Sequence, residues 1–319
     1  MSFFLYVLLF ILGLAVGSFI NVISLRYQPG QRLLDRKIIG GRSHCPTCRK
    51  KLAWYELIPV ISFLVQLGKC RGCGHRLSLQ YPLVEILSGL IFVFVPLSLT
   101  YNLQLTTYNL QPTTHNLLLL VVGCWLLVFI LFLLLSIIDL RHSIIPNSIN
   151  FSLAILGIIL ITAYPKLSNS FIWNPNFSGR FSFFKYYALP LDFLPSSVVS
   201  SQWSVVNSQW SIVINHLFAA LLGMAIFGVI ILLSRGKAMG WGDFKLVAAL
   251  GLIFGWPDIL MVLFLSFIIG SLVSIFFLIT KKKKMKDIIP FGPFLVIGAS
   301  LTFFFGYQII NEYFKLFGL

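Results

Sequence analysis

The chain has 319 residues, of which 58% are hydrophobic, 15% aromatic and only 10% charged. Charged residues make up about 25% of an ordinary soluble domain, so this composition excludes a protein of that class. It predicts an all-α polytopic membrane protein. The formal net charge is +15, with only nine acidic residues. The positive charge lies between apolar blocks, so it indicates membrane topology and contact with anionic lipids, and we expect no nucleic acid partner.

About eight apolar blocks are predicted to be transmembrane helices, although the sixth is short. They cover residues 1–25, 82–99, 117–138, 149–163, 216–234, 244–254, 259–280 and 290–307. An apolar helix needs about 20 residues to cross the hydrocarbon core of a bilayer. In the first block, Gly13, Gly17 and Ser18 would let a neighbouring helix approach closely.

Three units follow from the order of these blocks. Residues 1–25 form the first transmembrane helix, residues 26–81 a polar domain with four cysteines, and residues 82–319 a second membrane domain. Two polar stretches, 100–116 and 165–213, interrupt the second membrane domain. They are predicted to be external insertions, and no chemistry is assigned to them.

The distribution of positive charge predicts the orientation. The segments 26–80, 139–148, 235–245 and 281–288 hold 20 of the 24 lysines and arginines. Positively charged loops face the cytoplasm, so the amino terminus is expected outside. No basic region precedes the first apolar block, which argues against a removable signal peptide. Asp139 and Asp243 then lie at the same, cytoplasmic, face of the membrane.

Four of the five cysteines form two C-x-x-C pairs, Cys45 with Cys48 and Cys70 with Cys73. Two such pairs offer four thiolates to a tetrahedral zinc ion, and Gly74 would let the second turn close. A redox pair or two local disulfides are the alternatives, but a reducing cytoplasm favours metal. Because all four ligands come from the protein, the zinc is expected to be structural.

Two features near the membrane boundary stay open at this stage. Residues 57–67 are apolar and contain Pro59, but they are too few to span, so we expect a packed or interfacial segment. Glu85 lies inside the second block, where it could line a site, although pairing with an arginine or a lysine is the simpler interpretation.

Asp139 follows 22 uncharged residues at the end of the third block. A carboxylate near hydrocarbon is a functional candidate, but Asp139 could also mark the membrane edge and pair with Arg141. Pro146 prevents the helix from simply continuing. Arg141 and Pro146 are therefore interpreted as parts of the turn that holds Asp139 at the boundary.

Asp243 follows Gly240 and Gly242, which permit unusual backbone angles and close approach of a peptide. It could merely cap the helix that starts at Phe244. Together with Asp139 on the same face, however, it indicates an aspartyl protease. Two nearby carboxyl groups do not both ionise easily, so one stays protonated while the other activates water for attack on a peptide carbonyl.

The chain resembles the prepilin peptidases, or type IV leader peptidases. The resemblance rests on GSFINV at 17–22, SHCPTC at 43–48, LIPVIS at 57–62, KCRGC at 69–73, YPLVE at 81–85, DLR at 139–141 with IPN at 145–147, MGWGDFKL at 239–246 with AALG at 248–251, and IPFGP at 289–293. These segments cover most of the chain except the two insertions. The four cysteines resemble the amino-terminal domain of full-length members.

This resemblance implies an aspartic endopeptidase in residues 82–319, with Asp139 and Asp243 as the catalytic pair and Gly240, Gly242 and Lys245 as supporting motif residues. Its substrates would be type IV prepilins and related pseudopilins, which lose a basic leader at the cytoplasmic face of the bacterial inner membrane. Full-length members also methylate the new amino terminus with S-adenosylmethionine. Trp241 departs from the family, which usually has a smaller residue there, and this puts specificity rather than activity in doubt.

Two alternative functions remain. A transporter or assembly scaffold whose zinc loop docks a cytoplasmic partner would explain the helices and the basic loop, but it leaves the acid pair without a role. A G-x-G-D protease that cuts other membrane stubs is the narrower alternative.

Overall fold

The computed structural model describes residues 3–31, 33, 35–45, 47–102, 112–170, 209–236, 239–281 and 289–316. Over these residues the chain is mostly helical, with two isolated bridges in place of a sheet. Eight long helices are α1 (Phe3–Arg26), α2 (Gln80–Asn102), α3 (Pro112–His142), α4 (Asn147–Ser170), α5 (Gln209–Leu233), α6 (Trp241–Phe254), α7 (Asp258–Ile279) and α8 (Gly292–Leu316). The predicted all-α polytopic architecture is confirmed.

Five of these helices, α1, α2, α3, α5 and α7, are long and apolar enough to cross a membrane. Helices α4 and α8 contain shorter apolar stretches, Asn147–Ala163 and Gly292–Gly306. Helix α6 has 14 residues, which is a length of about 21 Å, less than the hydrocarbon thickness of about 30 Å. The insertion residues 103–111 and 171–208 lie outside the described residues, while the flanks of both insertions extend the neighbouring helices.

Helix α1 packs against α2 with almost no space between their backbones. A Cβ atom at Gly13 would lie 2.7 Å from the Cα of Gly89, and one at Gly17 would lie 2.7 Å from the Cα of Glu85. Both distances are far below van der Waals contact, so only glycine fits. The predicted close approach of a neighbouring helix at the first block is confirmed.

Helix α3 lies at the centre and contacts α1, α2, α4 and α8. Its aromatic side chains hold α8: the ring of Trp125 lies 4.3 Å from that of Phe303, and Phe129 lies 5.1 Å from Phe303. Because α3 and α8 run in opposite directions, this packing brings the first residue of α8, Gly292, to the last turn of α3. That turn carries Asp139.

The four-cysteine region lies between α1 and α2 and has little regular structure. It contains the short helices Arg36–Ile39 and Ile61–Val65 and the 3-10 turn Trp54–Leu57. Arg26 at the end of α1 donates to the carbonyl oxygens of Ile38, Gly40 and Arg42. These contacts fix the beginning of the region to the end of the first membrane helix.

Candidate active site and four-cysteine cluster

Asp139 lies in the last turn of α3 and is only 4% exposed. Its Oδ2 accepts a hydrogen bond from the backbone N–H of Gly292 at 3.0 Å. Gly292 begins α8, and a free N–H at a helix start carries a partial positive charge that favours a carboxylate. A Cβ atom at Gly292 would lie 2.5 Å from this Oδ2. The contact therefore requires glycine.

The residues after Asp139 fix the end of α3 against its neighbours. Arg141 does not pair with Asp139; its guanidinium contacts the carbonyl oxygen of Ser24 at 3.5 Å. The alternative in which Asp139 pairs with Arg141 is therefore wrong. Pro146 directly precedes α4, and its carbonyl oxygen accepts the N–H of Ile149 at 3.1 Å.

Asp243 is the third residue of α6, which begins at Trp241 instead of at the expected Phe244. The side chain is 9% exposed, and its Oδ2 accepts the N–H of Gly240 at 3.4 Å. The capping contact is thus present. The second oxygen, Oδ1, is buried and has no hydrogen-bond partner among the described residues. Capping uses one oxygen and leaves the other available for chemistry. Trp241 is exposed, so its larger side chain leaves the acid in place.

The structure brings the two predicted acids together. Both carboxyl groups are buried, and they lie close enough for the charge of Asp139 to disfavour ionisation of Asp243. Like charges at short range in a poorly solvated site disfavour double ionisation. The pair can therefore hold one proton between two carboxyl groups, which is the arrangement that general acid–base catalysis on water needs. The catalytic roles themselves stay a prediction.

The start of α4 holds the acidic turn of α6 through two side chains. Asn150 is buried and donates from Nδ2 to the carbonyl oxygen of Gly242 at 3.3 Å, while its Oδ1 has no partner among the described residues. Lys245 donates to Oδ1 of Asn147 at 2.9 Å. Ile145 packs against Gly242, where a Cβ atom would lie 3.1 Å from that of Ile145.

Sequence reasoning missed Asn150 and Gly292 as site residues. Gly292 is inside a recognised segment, but nothing local shows that its N–H reaches a carboxylate 153 residues away. A usable signal existed for Asn150, because residues three apart at a helix start share one face. Asn147 and Asn150 have this spacing, which places two amide side chains on the face that α6 approaches.

The four cysteines form a compact cluster. The Sγ atoms of Cys45, Cys48, Cys70 and Cys73 all lie within 4.8 Å of one another. The Sγ atoms of Cys45 and Cys73 lie 4.0 Å apart, as do those of Cys48 and Cys70, across the two pairs. A tetrahedral zinc ion with Zn–S bonds of about 2.3 Å separates its sulfur ligands by about 3.8 Å. The cluster fits a metal ion.

The two C-x-x-C turns have the same backbone pattern. The N–H of Cys45 donates to the carbonyl oxygen of Lys50 at 3.0 Å, and the N–H of Cys70 donates to that of His75 at 2.9 Å. Each turn closes through a positive φ, 56° at Arg49 and 67° at Gly74. The predicted role of Gly74 in the second turn is consistent with this geometry, whereas the first turn closes without a glycine.

The electrostatics of the thiols differ across the cluster. The backbone N–H of Cys48, with smaller contributions from Thr47 and the nearby thiols, lowers the pKa of Cys45 to about 6. The pKa of Cys73 rises to about 11: the backbone N–H of His75 lowers it, but desolvation and the neighbouring thiols raise it. Four thiolates this close repel one another, so a bound cation is what would stabilise the fully ionised set.

Comparison with protein families gives two matches along the chain. Residues 11–99 match the family described as Bacterial Peptidase A24 N-terminal domain, and residues 184–275 match the Type IV leader peptidase family. The first segment contains the four cysteines and the second contains Asp243. The chain belongs to the type IV leader peptidase family. Asp139 lies between the two matched segments. Its hydrogen bond with Gly292 of α8 is seen only in the structure.

Relatives of this leader peptidase family cover nearly the whole chain. A protein from Bacillus subtilis, named prepilin leader peptidase/N-methyltransferase, is 29% identical over 97% of this chain and 98% of its own length. A protein of the same name from Xanthomonas campestris pv. campestris is 28% identical over 97% and 94%. One from Myxococcus xanthus is 52% identical over 27% of this chain and 24% of its own length. No solved structure matches the leader peptidase chain.

Proposed function

We propose that this leader peptidase cleaves the basic leader from type IV prepilins and related pseudopilins, with Asp139 and Asp243 as its catalytic pair. The observation that carries this proposal is the buried pair of interacting carboxyl groups, in which Oδ1 of Asp243 is left without a partner. The names of the relatives, prepilin leader peptidase/N-methyltransferase, support the same substrate class.

The reaction follows from one proton shared by two acids. The ionised carboxyl takes a proton from water, and the water oxygen attacks the carbonyl carbon of the peptide. The protonated carboxyl polarises the carbonyl oxygen and then gives a proton to the leaving nitrogen. The products are the leader's new carboxyl terminus and the pilin's new amino terminus. Gly292 holds one oxygen of Asp139 throughout, so that carboxyl keeps a fixed orientation.

The proposed setting is the bacterial inner membrane, with the amino terminus outside and the active site facing the cytoplasm. The positively charged loops support this orientation. In this setting, residues 1–25 form the first helix, 26–81 the four-cysteine domain and 82–319 the peptidase domain with external insertions 100–116 and 165–213. A basic leader would be attracted by anionic lipid at that face.

The second proposed activity is methylation of the new amino terminus. S-adenosylmethionine, when bound, supplies an electrophilic methyl group. An open depression of about 430 Å³ lies beside the end of α1. Its lining offers Arg42 for a carboxylate and the amides of Gln28 and Gln31 for hydroxyl groups. These residues would hold the cofactor. The expected result for Arg42→Ala is loss of methylation with cleavage retained, measured by the mass of the mature pilin.

The four-cysteine cluster is proposed to hold a structural zinc ion through Cys45, Cys48, Cys70 and Cys73. The sulfur distances support this assignment, and all four ligands are supplied by the protein. Zinc would then act by fixing the two turns rather than by chemistry on the substrate.

The direct test of the peptidase proposal is cleavage of a prepilin by purified protein in lipid, followed by mass spectrometry. Asp139→Asn and Asp243→Asn keep the side-chain volume but remove the acid. Each is expected to lower the cleavage rate by about 10²–10⁴-fold. Asp258→Asn is the matched control, because Asp258 also begins a helix, α7. The Asp258→Asn variant is expected to cleave the prepilin at the normal rate. Full cleavage by either active-site variant would overturn the proposal.

A further inference from the structure

The loop between the two cysteine pairs carries an unusually exposed set of apolar side chains. We call it the apolar face and define it by Trp54, Leu57, Ile61, Leu64, Val65 and Leu67. Trp54 is 78% exposed, Leu64 is 63% exposed and Leu67 is 85% exposed. A contiguous exposed apolar surface on a water-soluble region marks an interaction site. The side chains of the apolar face are thus exposed, whereas residues 58–60, 62 and 63 of the same segment are half-buried.

The exposed side chains of the short helix Ile61–Val65 point in one direction. Ile61, Leu64 and Val65 have the spacing i, i+3, i+4, which places them on one side of a helix, and all three are exposed. Ser62 and Phe63, on the other side, are half-buried. A one-sided apolar helix that is too short to span is typical of a segment lying in the membrane interface.

A buried carboxylate ties this segment to the membrane helices. Oε2 of Glu85 accepts the N–H of Val60 at 2.7 Å. The expected partner, an arginine or a lysine, is replaced by a backbone amide. Val60 has a φ of 61°, an unusual angle for a β-branched residue.

The position of Glu85 sets the depth of the segment. It is the sixth residue of α2, a span that begins at Gln80, so it lies about 8 Å along the axis from the start of that helix. Val60, whose N–H bonds to Glu85, therefore lies at the level of the second turn of this span.

The charges around the apolar face fit an anionic lipid surface. Exposed cations flank it on both sides along the chain: Lys50, Lys51, Lys69, Arg71 and Arg76. The one acid within the segment, Glu56, is buried and accepts the N–H of Ala53 at 2.9 Å. The guanidinium of Arg71 lies 5.3 Å from the ring of Tyr55, an aromatic residue of the type enriched at membrane interfaces.

We propose that the apolar face inserts into the lipid leaflet next to it, so that the four-cysteine domain rests on the membrane. The occupant is a lipid surface rather than a protein, because the face is continuous with a membrane-spanning helix and has a cationic rim. Leu79, which directly precedes α2, is also exposed. This proposal stands apart from the proposed catalytic activity.

The test uses the full-length protein in vesicles of phosphatidylcholine and phosphatidylglycerol. An environment-sensitive fluorescent amino acid is placed at Leu64 in one variant and at Thr47, an exposed polar position in the first cysteine pair, in the other. We expect lipids brominated on the acyl chain to quench the label at Leu64, and aqueous iodide to quench the label at Thr47. Retained leader cleavage or bound metal shows that each variant is folded.

Two outcomes would overturn the proposal. If iodide quenches the Leu64 label as strongly as it quenches the Thr47 label, the apolar face is in water. Protection of the Leu64 label from both quenchers would show that protein covers the face, as a second copy or another chain would do. A failed cleavage assay in wild-type protein would leave the quenching result intact, so the two proposals can fail separately.

Discussion

The carboxyl group of Asp139 is bonded to the backbone N–H of Gly292, with 3.0 Å between Oδ2 and N. The two residues are 153 positions apart in the chain. Helix α8 is held against α3 by the rings of Trp125 and Phe303, and this packing places its first N–H at the acid. The last helix of the bundle thus orients one member of the proposed catalytic pair.

Gly292→Ala tests this contact. The added Cβ would lie 2.5 Å from Oδ2 of Asp139, so the carboxyl group or the start of α8 has to move. Overpacking of this kind costs about 1–3 kcal/mol, and a displaced acid lowers the turnover number. We expect kcat for leader cleavage to fall at least tenfold while KM changes little. Steady-state kinetics on a prepilin measure both constants.

Gly123→Ala is the control for that substitution. Gly123 is in the same helix as Asp139, and a Cβ there meets nothing within 4 Å. Its kinetics and melting temperature are expected to match those of the parent protein. Equal losses of kcat in Gly292→Ala and Gly123→Ala would mean that any added methyl group in this bundle is harmful. The role of Gly292 in orienting Asp139 would then be contradicted.

Asn150→Ala tests the support of the acidic turn. The substitution removes the hydrogen bond from Nδ2 to the carbonyl oxygen of Gly242, which stabilises by about 1 kcal/mol. Since Gly242 precedes Asp243, the acid loses a fixed position, and we expect a lower kcat with little change in KM. Asn150→Asp should be worse, because it cannot donate and adds a negative charge near an acid pair.

The matched control for Asn150 is Asn215→Ala. Asn215 donates to the carbonyl oxygen of Trp256 at 3.2 Å, a bond of the same kind that does not involve the acid pair. Its loss is expected to lower the melting temperature and to leave kcat unchanged. A purely structural role for Asn150 would make the two variants behave alike.

The parts of the site that sequence could predict are the ones with local signals. Apolar runs that end at charges predict the eight long helices, although α6 begins at Trp241 instead of at Phe244 and therefore includes Asp243. The doubled C-x-x-C spacing is also a local signal, and it predicts the cysteine cluster. Gly292 could not be found as a partner of Asp139, because the contact depends on how two distant helices pack.

The unusual backbone conformations were equally invisible in the sequence. A positive φ at Arg49 or at Val60 is not expected from residues of these types. At Val60, the carboxylate of Glu85 accepts the N–H that this angle presents. Such angles are stable only where distant groups hold them, and sequence propensity does not register those groups.

Gly17→Val tests the close packing of α1 on α2. A Cβ at Gly17 would lie 2.7 Å from the backbone Cα of Glu85, so the two helices must separate. We expect a lower melting temperature, with a loss of about 1–3 kcal/mol. Gly228→Ala in α5 is the control, because its Cβ would meet only Phe244, at an ordinary 3.7 Å. An unchanged melting temperature for Gly17→Val would contradict the observed contact.

The zinc assignment predicts a loss of metal in cysteine variants and in acid. The double variant Cys48→Ser and Cys73→Ser removes one ligand from each turn and should purify without zinc, as measured by elemental analysis. Cys124→Ala, which changes the buried cysteine of α3, should keep the metal. Zinc retained by the double variant would refute a four-sulfur site.

The pH dependence of zinc binding has a defined sign. The folded chain lowers the pKa of Cys45 from 9.0 to about 6, so its thiolate stabilises the folded domain at high pH, and this contribution is lost as the pH falls through about 6. Protons also compete with zinc for all four thiolates. Titration of bound zinc should therefore show retention at neutral pH and release in acid. Full retention of zinc well below pH 6 would contradict a four-thiolate site, since protonated thiols do not hold the ion.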